Sequence, residues 1–219
     1  MTKDEIYEKL KTCITEMDED MAEEAASEAL EAGLDPIDCI SSGLSAGMQI
    51  MSDLFDEGEA FVPELLMASE AFECATSVLT GNLSEEEKNK AKQGVVVLHT
   101  VQGDIHDIGK NIVKTIFAAN NFEVFDLGRD VPVEDVIKKA EEVNADIIAG
   151  SALMTTTMPS QRDEINLLTE DGIRDKYICM YGGAPVSQEW VDKIGADAYA
   201  DTATNAVSCA RELLAAKKG

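Results

Sequence analysis

Asp104 and His106 stand two residues apart in the stretch Gly103-Asp104-Ile105-His106-Asp107-Ile108-Gly109-Lys110. A neutral imidazole is a common metal ligand, and its other ring nitrogen is usually held by a carboxylate that fixes tautomer and basicity. Asp104 is placed for that second role. One histidine cannot build a protein-only metal site. It can be the axial ligand of a metal already held by a macrocycle. Gly103 and Gly109 let backbone come close to something large. Read by itself, the stretch is also an ordinary strand-to-helix connection with a capping Asp, so the elements around it must decide.

Those elements follow an α/β pattern. From Gly94 onward, strands are expected at 94–100, 123–127, 145–151, 176–181 and 197–200. Helices are expected at 109–120, 132–143, 159–170, 187–194 and 203–217. Five strand–helix units predict a doubly wound parallel sheet with helices on both faces, a Rossmann-like domain in the flavodoxin-type order 2-1-3-4-5. Ligands of such sheets lie beyond the carboxyl ends of the strands. Strand one ends at the Asp104/His106 loop. Strand three ends at Ser151-Ala152-Leu153-Met154-Thr155-Thr156-Thr157, and strand four at Gly182-Gly183-Ala184-Pro185. Small residues at these ends predict a deep slot between the first helix and the sheet, with Ser151, Thr155 and Thr157 supplying hydroxyls. A loop imidazole with a carboxylate partner, beside a deep slot, implies a tetrapyrrole-like cofactor. The residues do not choose between iron and cobalt.

The front of the chain is helical. Ile6, Leu10, Ile14, Met17 and Met21 predict one helix over 3–21, and an Ala-rich helix follows over 22–32 to Gly33. Asp35-Pro36 starts a third, with Ile37, Ile40, Leu44, Met48, Met51, Leu54 and Phe55 as its apolar stripe. Gly43 and Gly47 on it predict close helix packing. A fourth begins near Pro63. The expected organisation is therefore an all-α four-helix bundle over 1–83, a linker over 84–93 and the α/β domain over 94–219. On spacing alone Phe55, Val62, Leu65 and Leu66 are bundle core.

Composition excludes several classes. The 43 acidic residues against 18 Lys and Arg give a net charge of −25. That argues against nucleic acid and against an anionic membrane surface. Residues 1–90 carry 23 acidic and 5 basic residues and no Arg. No apolar run approaches a membrane span, and the start is no signal peptide. Five scattered cysteines read as reduced, packed thiols of a cytoplasmic protein.

Asp104-Ile105-His106-Asp107-Ile108-Gly109 resembles the Asp-x-His-x-x-Gly motif of B12-binding domains. Ser151-Ala152-Leu153 is similar to the Ser-x-Leu motif that follows it in that family, and Gly182-Gly183 to its Gly-Gly motif. The front half resembles the helical cap beside this domain in methionine synthase and in methanogen and acetogen corrinoid proteins. The stretches 150–158 and 180–186 look most like the corrinoid proteins of methylamine and betaine-type methyltransferase systems, and less like the methanol-type proteins. The resemblance implies cobalamin or a related corrinoid, with cobalt ligated by His106. It also implies cofactor contacts at Gly103, Asp104, Ile105, Asp107, Ile108, Gly109, Ser151, Leu153, Thr155, Thr157, Gly182 and Gly183. Phe55, Val62, Leu65 and Leu66 become cap residues over the corrin, which reverses their reading as core. Thr157 takes the place of a Ser in methionine synthase's His-Asp-hydroxyl relay.

The function implied is a methyl carrier, not a stand-alone enzyme. A substrate-specific methyltransferase would place a methyl from a methylated or quaternary amine on Co(I). A methylcobamide:coenzyme M or methylcobamide:tetrahydrofolate methyltransferase would remove it, and a reductive activation protein would maintain the cobalt. The competing classes are a mutase subunit, a B12-dependent sensor and a flavodoxin-like signalling receiver. The sensor lacks its basic segment here, and the receiver would need an acidic pocket where the chain puts His106.

Overall fold

In the structure, a computed structural model describing residues 2–81, 83 and 92–218, Thr2 and Glu5 start the first helix. The Thr2 hydroxyl accepts from the Glu5 amide, and the Glu5 carboxylate accepts from the Thr2 amide at 2.8 Å. This reciprocal pair satisfies two donors that a helix start leaves open. Helix α1 (Lys3–Thr15) then stops earlier than its apolar period implies. Met17 turns into the left-handed region at φ 57°, and Asp18 caps α2 (Glu19–Glu31) by accepting from the Met21 amide. The boundary between the two helices, expected at 21/22, thus falls at residues 16–18, because Asp18 supplies a cap where the apolar repeat continues unbroken.

Helix α2 buries Ala22, Ala25, Ala26 and Ala29 and packs on α5 (Val62–Thr80). The third run is α3 (Pro36–Cys39), a π-turn (Ile40–Leu44) and α4 (Ser45–Asp56). A Cβ on Gly43 would lie 2.8 Å from the Cβ of Leu10, and one on Gly47 would lie 2.7 Å from that of Ile14. The two glycines let this run approach α1 closely, as their spacing implies. Burial pushes the thiols of Cys13 and Cys39 up to about 12 and about 11, so they pack as small apolar groups.

The chain divides between Gln93 and Gly94 into a helical unit, which also takes in Ala118–Asn121, and a sheet unit. Of the linker expected over 84–93, residues 84–91 lie outside the described ones. The sheet unit runs β1 (Gly94–Thr100), α6 (Ile108–Ala119), β2 (Phe122–Asp126), α7 (Val133–Glu142), β3 (Ile147–Ser151), α8 (Pro159–Glu170), β4 (Ile178–Gly182), α9 (Gln188–Ile194), β5 (Ala198–Tyr199) and α10 (Ala203–Lys218). All pairings are parallel, in the order β2-β1-β3-β4-β5 that the alternation implies. Leu98, on one face of β1, backs the slot described below, while Val97 and Val101 on the other join the core formed with α7, α8 and α9. Strand β5 is two residues long, shorter than the expected 197–200; just before it the Asp197 carboxylate accepts from the Cys179 amide and from Arg174. The register sets Thr100 opposite Ser151 and Ser151 opposite Gly182, so all three strand ends open on one edge.

Candidate functional site

The loop between β1 and α6 is built around one buried carboxylate. Asp104 has no exposed surface. Its Oδ1 accepts from the His106 amide at 3.0 Å and lies 2.7 Å from His106 Nδ1. Its Oδ2 accepts from the Leu153 amide at 2.8 Å, the Met154 amide at 3.3 Å and the Thr157 hydroxyl at 2.7 Å. Burial by itself raises a carboxyl's pKa, but the bonds from Thr157, His106 and Leu153 outweigh it and hold Asp104 well below the usual range. An ionised acceptor requires Nδ1 to carry the proton. Nε2 of the neutral imidazole then keeps its lone pair.

His106 is 46% exposed. Around it stand apolar side chains that burial has not claimed: Ile105 is 62% exposed and Ile108 80%, with Leu153 and Met154 also open. An exposed ligand nitrogen on an apolar platform fits a metal that arrives inside a flat, partly apolar macrocycle. Thr157 is buried, and its hydroxyl also lies 2.9 Å from the Met154 carbonyl, so it is fixed on the far side of Asp104 from the imidazole.

Beside the loop, a cavity of about 330 Å³ runs between α6 and the sheet. Ser151, Gly109, Gly182 and Gly183 line it, with Ile112, Val113 and Phe117 of α6 on one wall. A Cβ on Gly183, at φ 119°, would lie 1.8 Å from the Ala152 carbonyl oxygen, so only glycine fits there. Thr155 stays on the exposed loop and takes no part in the lining. Gly103, Asp107 and Ile108 also lie outside it. The other end of the cavity is formed by Tyr199–Ala203 and Ala206. Sequence reasoning missed this wall, since a short edge strand and a polar turn give no ligand signal.

Three further residues escaped the sequence reading. The Met154 amide serves Asp104, and no side-chain pattern reveals it. Lys110 is almost fully buried, with Nζ 2.7 Å from Asp126 Oδ1 and 2.8 Å from Asn111 Oδ1. A lysine directly after the motif glycine, on the same helix as Ile112 and Phe117, was the available signal. Asp130 contacts the loop backbone and is taken up below. Of the residues expected to cap the cofactor, Phe55 and Val62 in the helical unit are half-buried, Leu65 is fully buried and Leu66 is 48% exposed. Phe61 and Met67 on the same unit are exposed as well.

Residues 94–208 and residues 6–80 each match a family described as B12 binding domain. The chain belongs to the B12-binding domain family, and its cofactor is a corrinoid. It is 51% identical over 209 residues to trimethylamine corrinoid protein 2 of Methanosarcina acetivorans, covering 94% of this chain and 95% of that one. It is 47% identical over 215 residues to dimethylamine corrinoid protein 1 of the same organism, covering 98% and 100%. Among solved structures, the methanol:cobalamin methyltransferase complex MtaBC from Methanosarcina barkeri aligns at TM-score 0.76 and 37% identity, over 98% of this chain and 81% of that one. Among the described residues, no helix is long and apolar enough to cross a membrane.

Proposed function

We propose that this chain is the methyl-carrying corrinoid protein of a methylamine-type methyltransferase system. The observation that carries the reading is His106, an exposed imidazole whose Nδ1 is fixed by a buried carboxylate on an apolar platform beside a glycine-lined slot. The trimethylamine and dimethylamine relatives support the substrate class. The corrinoid, when bound, supplies a cobalt that takes and releases the methyl group.

The chain's own residues do the rest. His106 Nε2 would hold the cobalt, and Asp104, 2.7 Å from Nδ1, orients the ring and fixes its tautomer. The Thr157 hydroxyl and Leu153 amide hold Asp104 in turn. Ser151, Gly182, Gly183 and Gly109 line the slot that would hold part of the cofactor. In the helical unit, Phe55, Val62 and Leu66 would supply apolar side chains that exclude water from the bound group, while Leu65 is buried as core. The partners are a methyltransferase specific for the amine, a second one that passes the methyl to coenzyme M or tetrahydrofolate, and a reductive activation protein.

Electron paramagnetic resonance of the corrinoid-loaded protein in the Co(II) state tests the assignment. Nitrogen superhyperfine splitting is expected in the wild type and absent in His106→Ala, with the corrinoid retained. A wild type without axial nitrogen, or splitting that survives the substitution, rules His106 out as the ligand.

A further inference from the structure

We propose that Asp130, in the turn between β2 and α7, is a positioning residue for the His106 loop. Asp130 and the loop exchange two hydrogen bonds. The Asp130 amide donates to the Asp104 carbonyl at 2.9 Å, and the Gly103 amide donates to Asp130 Oδ1 at 2.7 Å. Asp130 sits at φ 54°, a left-handed conformation that Asp adopts more readily than most residues. Gly103 is also left-handed, at φ 84°. The two turns run side by side because the β1–β2 ladder continues past the strands. The Thr100 amide donates to the Gly128 carbonyl, the Val131 amide donates to the Thr100 carbonyl, and Val101 bridges Val131.

The grip falls at the residue through which the imidazole is held. The Asp104 backbone is tied to Asp130 through its carbonyl and to Val101 through its amide, at 3.0 Å from the Val101 carbonyl, while its side chain holds both the amide and Nδ1 of His106. The bonds from Leu153, Met154 and Thr157 restrain only the Asp104 carboxylate. Without the Asp130 carboxylate, the Gly103 amide loses its acceptor, and a glycine has wide freedom to relax. A shift at 103 and 104 then passes directly to the ring. Neither Gly103 nor Asp130 lines the slot, so cofactor retention does not depend on the clamp.

The clamp rests on His106 being the axial ligand, and its test separates the two ideas. Asp130→Gly removes the carboxylate and suits the left-handed backbone. Asp130→Asn keeps an acceptor oxygen in a residue that also tolerates this conformation. In unloaded protein, exchange of the Gly103 amide proton, followed by NMR, is expected to be about tenfold faster in the Gly variant, the scale of one hydrogen bond to a charged group. In loaded protein, Asp130→Gly is expected to lose a large part of the Co(II) nitrogen splitting while keeping the corrinoid. Asp130→Asn is expected to restore both signals. The clamp is overturned if Asp130→Gly matches the wild type in either measurement, or if Asp130→Asn behaves as Asp130→Gly does. Absence of splitting in the wild type removes the ligand assignment instead, and the Gly103 exchange still reads the clamp.

Discussion

Thr157 shows how little slack the site has at the scale of single residues. Its hydroxyl is buried and lies 2.7 Å from Asp104 Oδ2, and its methyl carbon would lie 3.5 Å from a Cβ built on Gly103. The hydroxyl is what Asp104 needs; the methyl only fills space against the turn. Thr157→Ser should therefore keep stability within about 1 kcal/mol of the wild type. Thr157→Val keeps the shape and removes the donor from a buried anion, which should cost about 1–3 kcal/mol. Urea unfolding of the unloaded protein measures both, and equal losses for Ser and Val would assign the residue to packing alone. His106, Asp104 and Ser151 were legible because titratable or hydroxyl side chains at strand ends stand out in a sequence. The amides of Leu153 and Met154 were not, since main-chain donors leave no mark in side-chain type. Asp130 was missed for a related reason: half of its work is done by its own amide, and an Asp in a polar turn is unremarkable.

At the scale of elements, the alternation of apolar runs and amphipathic helices was enough for the strand order, because a right-handed parallel crossover leaves few topologies. The position of the break between α1 and α2 was not legible, as Met17 and Met21 continue the apolar repeat across it. Nor was the tie between α6 and the end of β2, made by Lys110 and Asp126. Burial alone would raise the Asp126 carboxyl, but the bonds from Lys110 and the Gly128 amide bring it below its ordinary value. Such a depressed group adds stability that is complete above the unfolded carboxyl's pKa of about 3.9 and is lost as pH falls through the folded value. Asp126→Asn leaves the buried Lys110 ammonium without its anion and should cost about 3 kcal/mol at neutral pH. Because the wild-type carboxylate is itself neutralised in acid, the gap should stay constant down to about pH 4 and close below it. Urea midpoints across that range decide it; a gap that persists unchanged in acid would mean the pair contributes shape and not charge.

At the scale of the whole molecule, charge is the property least tied to fold. Residues 1–90 carry 23 acidic side chains and only five basic ones, Lys3, Lys9, Lys11, Lys88 and Lys90. Lys3, Lys9 and Lys11 each already pair with a carboxylate, Asp38, Glu28 and Glu8 respectively. Their charge is thus offset locally, and residues 1–90 keep a large excess of negative charge. Under the proposed function the chain would meet two methyltransferases in turn and would gain from fast encounter, and a single-sign field accelerates encounter with a partner of opposite sign. The prediction is that association with at least one partner methyltransferase slows about tenfold between about 50 mM and about 500 mM salt, as the screening length shrinks to a few ångströms. Stopped-flow methyl transfer at fixed protein concentrations reads the rate, with the corrinoid absorbance spectrum as the control that the carrier itself is unchanged. Replacing a cluster such as Glu19, Asp20, Glu23 and Glu24 with glutamine or asparagine should flatten the salt profile without altering that spectrum. A rate independent of salt in the wild type would remove electrostatic steering and leave the excess charge as a device for solubility.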